Sequence, residues 1–311
     1  MPTPFEIGKS AVVVTLVLAG VFVGQSRAAI VRFSTTVGNV DVRLFEAATP
    51  ISVENFLNYA TTNRYLGSFI HRVPQRPPSQ GGGTSNFVVQ GGGFLLNNSI
   101  FGATGILTDP PIADEPGITN IRGTLSFAKN ALGATSQWFF NIGNNSFLDA
   151  QNFTVFGRVV GDGMSVIDVI NNLPTINASV AENAPGEDFD EIPVTDVQQV
   201  LSQGDITNNE AVMINSVVLR NLPAGDYDFN GIVDMADYDV WKSTYDSQTN
   251  VAADGNGDGR VNAADYTIWR NTFGTGSALG SSVGVGTVPE PNCAMLLLVA
   301  GGLLIFYRDR R

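Results

Sequence analysis

Alternating apolar and polar side chains predict a β-hairpin near the start of the chain's regular structure. Residues 30–36 and 39–45 both alternate, and Val37-Gly38-Asn39 lies between them. Glycine and asparagine favour the backbone conformations that a tight turn requires. The apolar-rich segment 212–219 predicts a further strand that closes the same β structure.

Apolar residues at helical spacing predict two helices. Thr49-Pro50 supplies an N-cap and a proline at the first helical position, and the helix that follows has an apolar face made of Val53, Phe56, Leu57 and Ala60. Residues 161–173 form the second helix, which Pro174 ends. Its predicted inward face consists of Val166, Val169, Ile170 and Leu173. Residues 177–209 are rich in acids and lack Lys and Arg, which predicts a long solvated loop, with a specificity role as the alternative.

The candidate active-site residues lie in apolar, strand-like stretches between the two predicted helices. The first reads Phe69-Ile-His71-Arg72-Val73, and after a Pro/Gly-rich run the chain continues Asn86-Phe87-Val-Val-Gln90-Gly-Gly-Gly-Phe94. Further on it reads Gly123-Thr-Leu-Ser-Phe-Ala128-Lys129, Ser136-Gln-Trp-Phe139-Phe, Phe147-Leu148-Asp149 and Val155-Phe156-Gly157. One interpretation is a set of buried strands with a surface arginine and ordinary core aromatics.

In this order, the motifs resemble the cyclophilin-type peptidyl-prolyl cis/trans isomerases across residues 29–222. The resemblance implies a mainly β fold, with a closed antiparallel β-barrel capped by two helices. It implies an enzyme that rotates X-Pro bonds in proline-containing polypeptides and needs no cofactor for catalysis. The implied catalytic residues are Arg72, which donates a hydrogen bond to the prolyl nitrogen, with Phe87, Gln90 and Phe139. The implied substrate-binding residues are Ala128, Lys129, Phe147, Leu148 and Phe153, while His71 is implied to be a packing residue.

Some positions depart from the family pattern. The turn between Arg72 and Phe87 is longer than usual, Phe147 replaces a common tryptophan, and Asn152-Phe153 stands where the family has a pocket histidine. These departures motivate an alternative function, a non-catalytic protein that binds proline-containing segments and assembles at the cell surface. The two functions predict different behaviour of an Arg72→Ala variant, because binding alone does not require the arginine.

Length, charge and cysteine content narrow the function classes. A chain of 311 residues with 43 % hydrophobic residues is long enough for two domains. A net charge of −12 argues against a nucleic-acid partner. Cys293 is the single cysteine, which excludes an intrachain disulfide and a cysteine-rich zinc site. We expect a monomer.

Residues 224–274 form a separate unit, because Asp226–Trp241 and Asp254–Trp269 are an internal repeat. Each copy has oxygen donors at loop positions 1, 3, 5, 9 and 12 and glycine at 6, which is calcium-loop spacing with a backbone carbonyl at position 7. The candidate ligands are Asp226, Asp228, Asn230, Ile232, Asp234 and Asp237, and then Asp254, Asn256, Asp258, Arg260, Asn262 and Asp265.

Aspartate at position 12 and a single helix after each loop resemble dockerin type I repeats. That resemblance implies a small α-helical module with two structural Ca²⁺ sites and a cohesin-like docking partner. The alternative is an acidic turn that binds no ion. The Tyr-x-x-Trp segments of both copies are expected to pack between the two helices.

Both ends of the chain carry targeting patterns. Residues 1–28 predict a secretory signal, with Lys9, an apolar core at 11–23 and the small-x-small site Ser26-Arg27-Ala28; a short membrane anchor is the alternative. A Gly/Ser-rich linker at 275–287 leads to residues 288–311, which contain Pro-Glu-Pro, an apolar run and terminal arginines. This tail resembles the PEP-CTERM sorting signal, which implies an exosortase-type processing enzyme; a permanent anchor is the alternative. We expect export to the periplasm, cell surface or exterior of a Gram-negative-type bacterium.

Overall fold

The structure is a computed structural model that describes residues 29–74, 87–178 and 189–276. The predicted signal, the predicted sorting tail, the Pro/Gly-rich run after Arg72 and nearly all of the predicted linker lie outside the described residues. Among the helices of the described ranges, none has both the length and the hydrophobicity that crossing a bilayer requires.

Strands dominate the first part of the described chain. They are β1 Ile30–Thr35, β2 Gly38–Leu44, β3 Ser68–Phe69, β4 Val88–Gly91, β5 Phe94–Leu95, β6 Thr104–Gly105, β7 Thr124–Asn130, β8 Gly133–Asn141, β9 Val155–Val160, β10 Thr175–Ile176, β11 Ile192–Pro193 and β12 Met213–Arg220. The helices are α1 Pro50–Thr61, α2 Gly163–Asn171, α3 Val197–Gln203, α4 Met235–Thr244 and α5 Ala263–Thr272. The predicted hairpin is confirmed as β1–β2, and the predicted closing strand as β12, which pairs with β1.

Ten of these strands form one antiparallel sheet in the order β4-β8-β7-β9-β2-β1-β12-β3-β5-β6. The sheet curls, because an isolated bridge between Arg72 and Gln90 joins β4 to the chain that follows β3. One bridge is not a continuous ladder, so the closed barrel stays a prediction. The mainly β fold with a curled antiparallel sheet and a few helices is what the described residues show.

The main hydrophobic core lies between the sheet and helices α1 and α2. Phe33, Phe56, Trp138 and Phe140 are fully buried there, with ring centroids 5.0 to 5.7 Å apart in the pairs that Phe33 makes. The predicted apolar face of α1 is confirmed, since Val53, Phe56 and Ala60 are buried and Leu57 is partly buried.

The N-terminus of α1 is not capped as predicted. Thr49 occupies the N-cap position, but its hydroxyl donates to the Phe45 carbonyl. The carboxylate of Glu115 instead accepts hydrogen bonds from the backbone N–H groups of Ile51 at 3.1 Å and Ser52 at 2.8 Å. A carboxylate suits this position because the first N–H groups of a helix lack partners inside it.

The predicted inward face of α2 is partly wrong. Ile167 and Ile170 are buried, whereas Val169 is 51 % exposed. The helix is also shorter than predicted, and Gly163 packs so closely on β2 and β9 that a Cβ there would lie 2.7 Å from Val159. This close approach sets the rotation of the helix, and the apolar spacing alone cannot specify it.

The acidic segment 177–209 is not a solvated loop in its described part. Phe189 is fully buried between Phe69 and Phe94, and Ile192 and Val194 are also fully buried. This second core lies beside β3 and β5 and includes Val200 from α3. The acids of this segment lie among apolar residues that face inward. The prediction of a solvated loop was wrong because it rested on the overall composition of the segment.

The C-terminal module packs its two helices together and contacts the sheet. Tyr238, Trp241, Tyr266 and Trp269 lie against one another, as expected. The copies exchange matching bonds: the Trp241 indole N–H donates to the Asn262 carbonyl, and the Trp269 indole N–H donates to the Asp234 carbonyl. The internal repeat therefore produces a pseudo-symmetric pair.

Arg43 of β2 joins the module to the sheet. It is buried, donates to the backbone carbonyls of Asp254 and Ala252, and lies 5.8 Å from the ring centroid of Tyr227. Val251 adds an apolar contact with Phe45 and Val155. The two regions are thus in contact in the structure.

Candidate active site

A groove of about 350 Å³ lies where β4, β7 and β8 meet the chain after β3. Pairing places its central residues in one row, because Arg72 lies opposite Gln90 and Gln90 lies opposite Phe139. Residues directly opposite each other in antiparallel strands present their side chains on the same face. Strand register thus brings a cation, an amide and an aromatic ring to one surface.

The apolar wall of the groove is built around Phe139. Phe139 packs with Val88 and Leu148 in a small cluster separate from the main core. Phe153 meets Phe139 edge-on at 5.9 Å between ring centroids. Phe147 does not line the groove; it stacks on Phe87 at 5.8 Å and supports that ring from its far side. The result is a hollow of the size and polarity that suit a small apolar ring.

A buried polar network holds the segment that carries Phe147 and Leu148. This segment is a short 3-10 helix, Ser146–Gln151. The Asn120 side chain donates to Asp149 at 2.9 Å, and the Asn145 side chain donates to the Phe87 carbonyl at 2.8 Å and to Asn141 at 2.8 Å. Since leaving buried polar groups unpaired is costly, this network fixes the helix relative to β4 and β8.

The other cation of the groove, Lys129, is fixed by three contacts. Its ammonium lies 2.6 Å from the Asp114 carboxylate, donates to the Asn152 carbonyl at 3.1 Å and lies 5.3 Å from the centroid of the Phe153 ring. The pairing register shifts between Phe127 and Lys129, which leaves Ala128 at an irregularity of β7. Such bulges are common beside binding sites, where they interrupt the strand ladder.

His71 does not line the groove. Its ring is fully buried and meets Phe94 edge-on at 5.0 Å between ring centroids. Burial, and to a smaller extent the charge of Arg72, lowers the pKa of the imidazole to about 3. The structure therefore agrees with the packing role that the sequence implied.

Eight of the nine predicted groove residues line the hollow, and Phe147 stands behind it. Five further residues also line the hollow and were not predicted as site residues, namely Val88, Asn130, Gly133, Thr135 and Gln137. Gln137 is the most informative of these, because its side-chain oxygen accepts a hydrogen bond from Gln90 at 2.7 Å. Gln137 lies inside the Ser136–Phe139 motif, two residues before Phe139. This position in a strand-like segment was the signal in the sequence that could have identified Gln137 as a groove residue.

The predicted ion ligands occupy two loops with matching hydrogen bonds. Asp226 accepts from the backbone N–H of Gly231, and its counterpart Asp254 accepts from that of Gly259, both at 2.9 Å. The position-12 acids, Asp237 and Asp265, accept from the N–H groups of residues that begin each loop and each helix. The loops are therefore shaped by their own acidic side chains.

Several predicted ligands also have local roles. Asp234 and Asn262, the position-9 residues, are the N-caps of α4 and α5. The predicted ligand of Arg260, at position 7, is its backbone carbonyl, and its side chain forms a salt bridge with Asp246. The other position-7 residue, Ile232, bridges Gly276 through its backbone.

The first loop gathers three carboxylates, those of Asp226, Asp228 and Asp237, whose oxygens lie within 4.8 Å of one another. Oxygen donors of this kind fit a hard cation such as Ca²⁺. Burial raises the pKa of Asp226 to about 6 and that of Asp254 to about 7, with neighbouring acids acting in the same direction. The second loop has three acids at its ligand positions, against four in the first, because Asn262 stands where the first loop has Asp234.

Comparisons with known proteins give one consistent family. The family model for "Cyclophilin type peptidyl-prolyl cis-trans isomerase/CLD" matches residues 30–195. A peptidyl-prolyl cis-trans isomerase of Acinetobacter baylyi is 36 % identical over 182 residues, which cover 55 % of this chain and 88 % of the relative. Peptidyl-prolyl cis-trans isomerase A of Dickeya dadantii is 35 % identical over 165 residues, which cover 50 % and 78 % respectively. A Cryptosporidium parvum cyclophilin, solved in the presence of the dipeptide Ala-Pro, covers 62 % of this chain and 99 % of its own, at 19 % identity and a TM-score of 0.41.

Proposed function

Because the chain belongs to the cyclophilin-type family and is a peptidyl-prolyl cis-trans isomerase, we propose that its catalysis depends on Arg72 in the groove. The observation that carries the proposal is the row of Arg72, Gln90 and Phe139 across adjacent strands. A permanently charged donor stands at one end of the row and an apolar wall at the other. This is the combination that a prolyl peptide bond requires.

The physical basis is the electronic structure of the amide. Resonance holds the X-Pro bond planar with a barrier of about 18–20 kcal/mol. When the bond twists, the prolyl nitrogen loses conjugation and becomes a better hydrogen-bond acceptor. A guanidinium placed to donate to that nitrogen binds the twisted form more strongly than either planar form, and such differential binding accelerates rotation. No covalent step is needed.

The other groove residues have separate tasks in this proposal. Phe139, Leu148 and Phe153 hold the proline ring, and burial of that ring excludes water from one side of the amide. Gln90, bonded to Gln137, orients the substrate carbonyl that precedes the proline. The backbone at Ala128 and Lys129 binds the neighbouring peptide segment. The substrates are proline-containing polypeptides, and the chain acts in their folding.

The test compares Arg72→Ala and Arg72→Lys with a control, Arg122→Ala, in the full chain. Arg122 forms an exposed ion pair with Asp168 and does not line the groove. We expect Arg72→Ala to reduce kcat/KM for a short X-Pro peptide by about 100-fold or more, because donors to developing charge contribute that much. Peptide affinity should change little and Arg122→Ala should match the wild type. Full activity of a folded Arg72→Ala protein would contradict the proposed role.

The C-terminal module is proposed to bind two Ca²⁺ ions as structural ligands. The supporting observations are the repeated loop spacing and the three gathered carboxylates of the first loop. The ion would neutralise acids that burial now disfavours in their charged form. Dissociation constants should lie in the range of about 10⁻⁴–10⁻³ M that is typical of extracellular modules.

Calorimetric titration of the chelator-treated full chain with CaCl₂ tests this. Asp228→Ala should weaken one site, while Asp239→Ala, an exposed acid of α4 outside the loops, should leave both sites unchanged. Isomerase activity should persist after chelation. Absence of heat at millimolar Ca²⁺, with the module folded, would remove the ion from the proposal.

Export and cell-surface attachment complete the proposed function. The support is the sequence pattern of residues 1–28 and 288–311, together with the dockerin-like repeat, which would bind a cohesin-like partner. Mass spectrometry of the protein recovered from each cell fraction tests it. A mature chain that begins near Ala29 and lacks the tail would support secretion and exosortase-type processing. A full-length chain retained in the cytoplasm would contradict both.

A further inference from the structure

The groove arginine has a carboxylate partner that neither the sequence motifs nor the proposed catalysis assigns. The Nε–H of Arg72 donates a hydrogen bond to Oδ1 of Asp190 at 3.2 Å. Asp190 lies 118 residues further along the chain than Arg72. We propose that Asp190 is a positioning residue, which holds the Arg72 guanidinium in the orientation that isomerisation needs. This inference rests on the proposed role of Arg72.

The residues on both sides of Asp190 are held by groups that also contact the chain segment that carries Arg72. The preceding residue, Phe189, is fully buried and packs against Phe69 at 5.8 Å and Phe94 at 4.9 Å between ring centroids. The carbonyl of the following residue, Glu191, accepts a hydrogen bond from the backbone N–H of Val73 at 2.9 Å. Residues on either side of Asp190 thus contact the chain on either side of Arg72.

This anchoring continues beyond the immediate neighbours. The Phe189 carbonyl accepts from the N–H of Ala178 at 2.8 Å, and β11 pairs with β10. Ile192 and Val194 are buried in the second core. A backbone fixed at this many points cannot move its carboxylate far from the groove edge. The ion pair is therefore built into the fold.

Among the described residues, the bond to Asp190 is the one hydrogen bond of the Arg72 side chain, so it restrains a side chain that is long and partly exposed. The Arg72 side chain is 34 % exposed, and a long side chain at that exposure can adopt many rotamers. The bond to Asp190 uses the single N–H on Nε. The remaining four N–H groups of a guanidinium are on its two Nη nitrogens, so a partner at Nε fixes the plane of the group and still allows Nη to donate to substrate.

A carboxylate at this distance also has an opposing effect. It reduces the positive field of the guanidinium, which weakens donation to the prolyl nitrogen. The two effects predict opposite results when the carboxylate is removed. If positioning dominates, activity falls; if the field dominates, activity rises.

The experiment measures kcat and KM of the full chain for an X-Pro peptide in Asp190→Ala, Asp190→Asn and a matched control. The control, Asp168→Ala, breaks the comparably exposed Arg122–Asp168 pair outside the groove. We expect Asp190→Ala to lower kcat by about threefold to tenfold with little change in KM, because a small misplacement of a catalytic group is costly and exposed ion pairs are individually weak. Asp190→Asn keeps an acceptor oxygen and should recover more than half of the activity. Equal or higher kcat in Asp190→Ala would overturn the proposal.

Two further measurements separate positioning from a loss of fold. Raising the ionic strength to about 1 M screens the charge of the pair but leaves its hydrogen bond, so the wild type should approach Asp190→Asn, while Asp190→Ala itself should change little. In an Arg72→Lys background, which lacks the Nε–H, Asp190→Ala should have a much smaller effect. The same loss in both backgrounds would mean that Asp190 acts on the fold and not through the arginine.

The outcome also separates this inference from the function on which it rests. If Arg72→Ala abolishes turnover but Asp190→Ala equals the wild type, only the positioning role fails. If Arg72→Ala remains fully active, the proposed catalytic role fails first. A thermal melt of each variant, with the same transition as the wild type, confirms that the comparison is made between folded proteins.

Discussion

The groove and the loops of the C-terminal module both bring polar and charged groups together, but these groups come from very different distances along the chain. Arg72 and Asp190 are 118 residues apart, and Asn145 and Phe87 are 58 apart. In the first loop, Asp237 and the N–H of Tyr227 are only 10 apart. The groove exists only when the sheet is formed, whereas each loop is completed within one short segment.

The groove and the first loop also differ in how their charged side chains are neutralised. Arg72 and Lys129, the two cations among the described residues that line the groove, are each paired with a carboxylate from another segment. The first loop instead concentrates acids, whose described partners are largely backbone N–H groups. A site assembled by tertiary contacts can select oppositely charged partners, while a local acidic loop depends on an external cation for neutralisation.

The largest expected effect comes from removing the tryptophan under the groove. Trp138 is fully buried in the sheet, and a Cβ added to Gly92 would lie 2.5 Å from its indole nitrogen. Trp138→Ala should lower the free energy of unfolding by about 3–5 kcal/mol and disrupt the groove. Trp241→Ala, in the module, should leave turnover intact. Denaturant unfolding and peptide turnover check both, and equal loss of activity in the two variants would contradict the contrast.

The next effect concerns the junction between the two regions. Arg43→Ala removes the bonds to the Asp254 and Ala252 carbonyls, so the module should become easier to unfold by about 2 kcal/mol. Limited proteolysis of the full chain should then cleave the module sooner, with unchanged isomerase activity. Arg32→Ala is a matched control, because Arg32 is a half-exposed residue of β1 whose partner is Asp41. An Arg43→Ala protein as resistant as this control would show that the junction does not depend on Arg43.

The buried imidazole should make stability fall in acid. The pKa of His71 is about 3 in the folded protein against an ordinary value of 6.5, so between those values the unfolded chain binds a proton that the folded chain does not. The contribution of His71 to stability therefore decreases as pH falls from 6.5 to 3, by at most about 1.4 kcal/mol per pH unit, whereas the raised pKa values of Asp226 and Asp254 act in the opposite direction. Because His71 is the only histidine, its imidazole signal in proton NMR reports the titration directly. His71→Phe should show a shallower stability profile; identical profiles would contradict the assignment.

The smallest expected loss of stability comes from removing a helix cap. The test compares a cap that comes from a distant segment with a cap supplied by the residue that precedes the helix. Glu115→Ala removes two bonds to the N-terminus of α1 from a remote segment, and Asp196→Ala removes the local cap of α3 at Gln199. Each should cost about 1 kcal/mol. Thermal unfolding of the two variants checks the magnitudes. A negligible effect at Glu115 would mean that Thr49 or water replaces it at little cost.

Much of the fold could be predicted, because many of its elements follow from patterns within short segments of the sequence. The hairpin, the position of α1 and the strand β12 followed from periodicity and turn residues. The groove residues came from a resemblance in motif order, which needs no knowledge of contacts. The prediction failed where two faces of an element were similarly apolar: α2 exposes Val169 and buries Ile167.

The supporting residues of the groove were harder to predict for a related reason. Asn120, Asn141 and Asn145 look like ordinary turn residues in the sequence, yet all are fully buried. Their role depends on partners in other segments, as in the bond from Asn145 to the Phe87 carbonyl. A single sequence contains no local signal for such pairs.

The sequence by itself determined the β1–β2 hairpin, the positions of α1 and β12, the two repeated loops and the residue types of the groove. These properties depend on interactions within about a dozen residues, where spacing reports geometry. Only the tertiary structure decided that Glu115 reaches α1, that Arg43 is buried beneath the module and that Asp190 meets Arg72. Each of these contacts joins distant segments, and the free energy that selects it comes from packing of the whole sheet and its cores.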